Sequence, residues 1–400
     1  MSSPPAPRTR SVARLVVLGA VLSLALSAAQ GQVLPRDPKL KEFDPAFRGL
    51  LEKADSHARQ GEWKQVVDAL TKAQEFSVQY PPLLYLLGAA HKKLGHFDEA
   101  EASFRAFLKA APDAPEKAEV STLLAELQVE RDQASRRRDA ARKFQDEIDK
   151  LAKGAPAGMV PVPAGEFRMG STEEDIAAAM QLCPQCPEES FARETPAHAV
   201  FLNAFFIDRH EATTGEYAAF LNTSKRQAPD HWQEGSQATQ AQKPVIGITW
   251  DDAVEYCKSK GKRLPTEAEW EKAARGIDGR RYPWGSERAN LFWANFDKCC
   301  VWAGYSLLTE VGSLEKGASP YGAQDMAGNA REWVQDWYGE RYYASSPGKN
   351  PAGPGHGTEK VVRGGGWLSL ANGVRTTARE KRDPAARSTS VGVRCVRSLP

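Results

Sequence analysis

The sequence predicts a multidomain fold: an all-α front followed by an irregular α+β back. Three observations carry this expectation. Four hundred residues exceed what one ordinary core accommodates, so two or more domains are expected. Glycine and proline concentrate beyond Gly154, which separates a helical front from a loop-rich back. Apolar residues recur at spacings of three and four in the front and alternate with other residues in the back. The apolar share is 41%, with ten Trp, which suits sizeable cores. A net charge of +2 argues against a nucleic-acid binder whose affinity rests on phosphate neutralisation.

Residues 1–29 read as a signal peptide. Arg8, Arg10 and Arg14 form a positive start, and Leu15 to Ala28 is an apolar run too short for a comfortable membrane span. Ser27, Ala28 and Ala29 supply small residues at the cleavage position, and no cysteine follows to suggest a lipid anchor. The chain is therefore expected to be secreted or periplasmic, with a membrane contact only if this segment stays uncleaved. Either way the remainder faces an oxidising compartment, where disulfides persist.

Residues 30–44 form a linker with Pro35 and Pro38. Helical signals begin near Pro45. Gly61-Glu-Trp63 and Gly95-His-Phe97 repeat one turn, and their aromatics lie 34 residues apart (97 − 63). That is the tetratricopeptide period. Leu84, Leu87, Gly88, His91, Gly95, Phe97, Ala100, Phe104, Leu108 and Pro112 fill most of the pattern in the second unit, and the first unit matches fewer positions. Residues 45–113 thus resemble two tetratricopeptide repeats, which implies a protein or peptide partner in their groove. Residues 114–156 read as a capping and spacer helix. Val120, Leu123, Leu124 and Leu127 would cover the last repeat, while the mixed charges from Glu130 to Lys150, with Arg136 to Arg138, face solvent. Gly154 to Gly158 ends the helix, and the back domain is assigned to 157–400.

Within the back domain, Met159 to Ser171 and Glu194 to Asp208 alternate as strands do. Thr213 is the expected N-cap of a helix from Thr214, and Thr249 precedes a second, with Asp251 near its positive end. Thr266 caps a third, with Glu269 as its capping-box partner. The run Val361-Val-Arg-Gly-Gly-Gly-Trp-Leu-Ser369, closing at Gly392-Val-Arg-Cys395, reads as strand, glycine turn, aromatic anchor, loop and final strand.

Several segments stand in a recognisable order: Pro163-Ala-Gly-Glu-Phe-Arg-Met-Gly170, Phe206-Ile-Asp-Arg-His-Glu-Ala-Thr213, Trp250-Asp-Asp-Ala, and Arg263-Leu-Pro-Thr-Glu-Ala-Glu-Trp-Glu-Lys-Ala-Ala-Arg275. Then follow Tyr282-Pro-Trp-Gly285, Asp325-Met-Ala-Gly-Asn-Ala-Arg-Glu-Trp333, Arg363-Gly-Gly-Gly-Trp367 and Gly392-Val-Arg-Cys395. Over about 157–399 the chain resembles the formylglycine-generating enzyme (sulfatase-modifying factor) family. The resemblance implies an irregular α+β variant of the C-type-lectin-like fold.

Members of that family that are active oxidise a sulfatase cysteine with O₂, using two cysteines of their own to hold Cu(I). Soft thiolates select that ion. Here Ser369 stands at the first cysteine position and the second has no counterpart; Gly366 replaces a family serine and Arg331 an active-site tryptophan. A hydroxyl cannot replace a thiolate for Cu(I), so no copper and no formylglycine-generating activity are expected.

The resemblance further implies a Cys257–Cys395 disulfide. Cys183, Cys186, Cys299 and Cys300 remain, and disulfides, a zinc site or a redox pair all stay open, with disulfides favoured after a signal peptide. It also implies structural calcium on the Asp325 and Glu332 side chains and the Gly328 and Ala330 carbonyls, since hard oxygens on a tight loop suit that ion. A second, incomplete set is Asn295 with the Phe296 and Tyr305 carbonyls, where the family aspartate falls near Ala303 and Asp297 is the candidate substitute.

The expected function is a secreted binding or scaffold protein. Trp367, Ser369, Asn372, Arg375 and Arg379 are the candidate floor of a cleft for an unknown small ligand; structural ion pairing is the competing role for the two arginines. The alternative is an oxidoreductase or protein-modifying enzyme that uses the same fold with a different catalytic constellation. The missing cysteine pair favours the binding protein.

Overall fold

A computed structural model describes residues 38–76, 80–235, 238–298 and 301–399. Residues 1–29, read above as a signal peptide, and the adjacent Cys299 and Cys300 lie outside these residues. The chain divides into two compact units, one reaching Arg142 and one starting at Lys143. Among the described residues no helix is long and apolar enough to cross a membrane.

The first unit holds two helical hairpins: α1 (Pro45–Arg59) with α2 (Trp63–Gln74), and α3 (Pro82–Lys93) with α4 (Phe97–Ala110). Pro45 opens α1 at a position where its missing N–H costs nothing, and Asp44 caps it by accepting from Ala46 N at 2.7 Å. Gly61 and Gly95 turn each hairpin with positive φ. In the second hairpin a Cβ on Gly88 would meet the Phe104 ring at 2.7 Å, so glycine is what lets α3 and α4 close. Phe47, Leu51, Val66, Leu70, Leu86, Ala100 and Phe104 form the apolar core of this unit. The next helix, α5 (Lys117–Ala152), contributes Val120 and Leu127 to that core.

The second unit begins inside α5, not at 157. Its last turns carry Phe144 and Ile148, spaced i to i+4 within an otherwise charged stretch, and Ile148 is buried among Val160, Trp270 and Tyr321. Two apolar residues on one face were enough to dock a helix end read as solvated spacer. Arg136, Arg137 and Arg138 are exposed, as their surroundings in sequence suggest.

The rest of this unit is built from three small sheets. Strand β1 (Met159–Val162) pairs with β4 (Phe205–Asp208), which pairs with β9 (Val396–Ser398); β2 (Gly165–Met169) pairs with β3 (His198–Leu202). A four-stranded sheet has the order β7 (Arg379–Arg382), β6 (Lys360–Arg363), β5 (Arg331–Trp337), β8 (Val391–Gly392), antiparallel except for β5 with β8. The helices include α6 (Glu173–Leu182), the single turn α7 (Glu189–Ala192), α8 (Thr214–Thr223), α9 (Trp250–Ser259) and α10 (Glu267–Arg275). Thr172, Thr213, Thr249 and Thr266 each make a full capping box, the last with Glu269. Every side chain of α10 is buried, its charged ones included. The disulfide Cys257–Cys395 ties α9 to the residue before β9.

Candidate functional site

Strand β6 leads into Gly364-Gly365-Gly366. Gly364 and Gly365 have φ of 90° and 66°, and a Cβ on Gly365 would lie 2.6 Å from the Gly373 carbonyl. Only glycine lets these two stretches of backbone approach so closely. The turn delivers Trp367 into the interior, where its Nε1 donates to the Thr389 carbonyl at 3.0 Å. Ser369 follows and is 5% exposed.

The Ser369 hydroxyl is tied into a polar knot. Its Oγ accepts from the Gly366 amide at 3.1 Å and from Arg331 Nη2 at 3.0 Å. Arg331, at the start of β5, also forks onto Glu380 of β7 at 2.9 and 3.0 Å, and its Nη1 donates to Ser390 Oγ at 3.3 Å. A planar guanidinium presents donors in this fork geometry. The arrangement is a buried cation held by a carboxylate and two hydroxyls. Arg331 and Ser369 were read separately from the sequence, and the fold joins them. Glu380 and Ser390 were missed; each is unremarkable in its local sequence and is brought in by sheet pairing.

The remaining cleft residues separate. Asn372 is half-buried and its amide lies 3.6 Å from Cys186 Sγ. Arg375 and Arg379 are not on a cleft floor. Arg375 forks onto Glu194 at 2.7 and 2.8 Å, and Arg379 onto Glu267 at 2.7 and 2.8 Å, with both pairs sealed inside. Buried charges persist only when paired and hydrogen-bonded, so the ion-pair role takes these two arginines. Burial pushes the Glu194 carboxyl up, but Arg375, Thr377 and Ser171 together hold it below its ordinary value.

The expected calcium loop is tightly wound. Asp325, Gly328 and Asn329 all have positive φ, and a Cβ on Gly328 would strike the Asn295 carbonyl at 2.4 Å. Asp325 accepts from the Gly312 amide at 2.6 Å. Glu332 accepts from Trp270 Nε1 at 2.6 Å and pairs with Arg394 at 2.8 Å. Sequence reasoning missed Glu211, which is fully buried and accepts from the Ala330 amide at 3.0 Å and Asn329 Nδ2 at 3.3 Å. The available signal was a carboxylate two residues before the N-cap Thr213, in the segment Phe206-Ile-Asp-Arg-His-Glu-Ala-Thr213. Burial raises both Glu211 and Asp325, and the charges of Asp325 and Glu332 raise Glu211 further. Three buried carboxylates thus share one close guanidinium, a charge balance that suits a hard cation. Among the described residues, however, no three His, Cys, Asp or Glu side chains are arranged to hold one by themselves. Backbone carbonyls would have to complete such a site.

The second calcium set comes out differently. Lys243 Nζ donates to the Tyr305 carbonyl at 2.7 Å, so a cation of the protein itself takes that oxygen. Asn295 Nδ2 donates to the Leu307 carbonyl at 2.9 Å and to Asn329 at 3.1 Å, and Phe296 packs into an apolar cluster. Asp297, the candidate substitute, is exposed, and its amide donates to the Ser369 carbonyl. A lysine therefore stands at one of the oxygens a second calcium would use, and Asp297 lies at the surface.

Four cysteines are described, and all are oxidised: Cys257 with Cys395 and Cys183 with Cys186. Zinc ligation by Cys183 and Cys186 is thereby replaced by a bond between them.

Comparison with known proteins supplies the rest. The family profile for the sulfatase-modifying factor enzyme 1-like domain matches residues 144–399, and one for the tetratricopeptide repeat matches 81–114. The formylglycine-generating enzyme of Streptomyces coelicolor is 34% identical over 292 residues, covering 60% of this chain and 88% of that protein. A protein of Chlamydia pneumoniae named serine/threonine-protein kinase pkn1 is 35% identical over 265 residues, covering 60% of this chain but only 38% of its own length. Among solved structures, PvdO from Pseudomonas aeruginosa aligns with 60% of this chain and 94% of its own, at 25% identity and a TM-score of 0.49.

Proposed function

The chain belongs to the sulfatase-modifying factor enzyme 1-like family, and we propose that it uses this fold as a binding module without formylglycine-generating chemistry. One observation carries the reading. Ser369, at the first copper-cysteine position implied by the resemblance, has its oxygen committed to the Gly366 amide and the Arg331 guanidinium. A hydroxyl is a poor ligand for Cu(I), and a fixed positive charge beside it disfavours a second cation. The described cysteines, all in disulfides, offer no thiolate pair in its place.

A tetratricopeptide repeat suggests protein interaction in general. In this proposal a protein or peptide partner occupies the groove of the repeats, and a small ligand meets the surface at half-buried Asn372, with Trp367 and Ser369 buried in the same loop. Export to the periplasm or the exterior is part of the same reading, supported by two disulfides that persist in oxidising compartments. So is one structural calcium, for which Asp325, Glu332 and the Gly328 and Ala330 carbonyls, with Glu211 beside them, would supply hard oxygens. It would offset the buried negative charge of that loop.

Pure protein incubated with Cu(I), O₂ and a sulfatase-motif peptide is expected to leave the peptide unchanged by mass spectrometry. Appearance of the aldehyde would sink the non-catalytic reading. Calorimetric titration of EDTA-stripped protein with Ca²⁺ is expected to show binding, and a flat titration removes calcium from the proposal.

A further inference from the structure

Helices α6 and α7 flank an open cavity of about 520 Å³. Its floor is apolar, made of Ile176, Ala177, Met180 and Ala192, and its rim carries Glu173, Glu188 and Glu189. No lysine or arginine lines it among the described residues. Ile176 is buried, Met180 is half-buried, and all three glutamates are exposed at the mouth. The Cys183–Cys186 disulfide closes a tight loop just after α6, within the connection to α7.

We propose that this cavity docks a basic side chain and its apolar neighbours on a protein segment. Charge complementarity selects the occupant: three carboxylates without a basic partner on the lining attract a cation, and the rim position keeps each of them hydrated until the ligand arrives. The apolar floor takes what a hydrated ion alone would not use, namely the aliphatic stem of an arginine or lysine and the residue next to it. The volume lies in the range of sites for drug-sized ligands, larger than one side chain needs. Met180 gives the floor a flexible, polarizable surface that adapts to different neighbours. The cavity owes nothing to Ser369 or Arg331: aldehyde formation tests that site, whereas peptide affinity tests this one.

The probe is a fluorescein-labelled Gly-Leu-Arg-Leu-Gly peptide, with Gly-Leu-Glu-Leu-Gly as its acidic counterpart, read by fluorescence anisotropy on the full chain. The basic peptide is expected to bind, and to bind less well as salt rises. The double variant Glu188→Gln/Glu189→Gln is expected to weaken it about fivefold. Ala177→Trp, an exposed helix position, fills the cavity and is expected to abolish binding while circular dichroism stays unchanged. Equal affinity for the acidic peptide, undiminished binding by Ala177→Trp, or complete competition by equimolar n-butylguanidinium each overturns the proposal. The last result would mean a small free cation and not a protein segment.

Discussion

The two units of this chain hold charge in opposite places. In the repeats, the core from Phe47 to Phe107 is dominated by apolar and aromatic side chains, and ion pairs such as Lys92–Glu126 sit partly in solvent. In the second unit, Arg363–Glu271, Arg379–Glu267, Arg375–Glu194 and Arg394–Glu332 lie where both partners are buried. The difference follows from how each fold supplies order. Helical hairpins satisfy their backbone locally, so their interior has only to fill space. A unit of short strands and long loops leaves carbonyls without ladder partners, and arginines reach them: Arg363 donates to the Thr376 and Thr377 carbonyls, Arg394 to those of Asp208 and Gln324. Buried guanidinium groups then need carboxylates. Ion pairs are thus part of the scaffold of the second unit and ornament on the first.

Removing one partner of a buried pair tests this most severely. Arg379→Met removes the bidentate partner of Glu267 and leaves it only the 3.5 Å contact with Arg363, beside Asp336, whose carboxyl burial and the Glu267 charge already push up to about 8. A loss of about 3–5 kcal/mol is expected in urea unfolding of the second unit. A loss below about 1 kcal/mol would erase the distinction between the units. The repeats should fail through volume. Gly88→Val drives a branched side chain into the Phe104 ring, and about 1–3 kcal/mol is expected from the helical melting transition. The smallest effect belongs to Lys92→Met, whose Glu126 partner is half-exposed. A change of under about 1 kcal/mol is expected there, measured by the same transition.

Much of this architecture was legible because its signals are local. Asp44-Pro45, the glycine turns at Gly61 and Gly95, and the Thr-x-x-Glu box at Thr266 each need only a few neighbouring residues. The end of α5 was misjudged because Phe144 and Ile148 are two apolar residues in a charged run, and what they pack against comes much later in the chain. The site was legible in part. Ser369 and Arg331 could be named from their places in the motifs, but Glu380 reaches Arg331 from β7 across the intervening β6, and Ser390 reaches it through the pairing of β5 with β8. For Arg375 and Arg379 a cleft role and an ion-pair role both stood open, because their partners Glu194 and Glu267 lie 181 and 112 residues away.

The sequence by itself determined the order of the units, the helix starts, the family, and the absence of a cysteine at 369, since each rests on residue type and short-range spacing. Only the tertiary structure decided which charges are sequestered, that Lys243 takes the Tyr305 carbonyl, and that Ser369 is bound to a guanidinium. The physical reason is that a charge in low dielectric is governed by the partner that reaches it, and that partner is chosen by the fold and not by the chain around it.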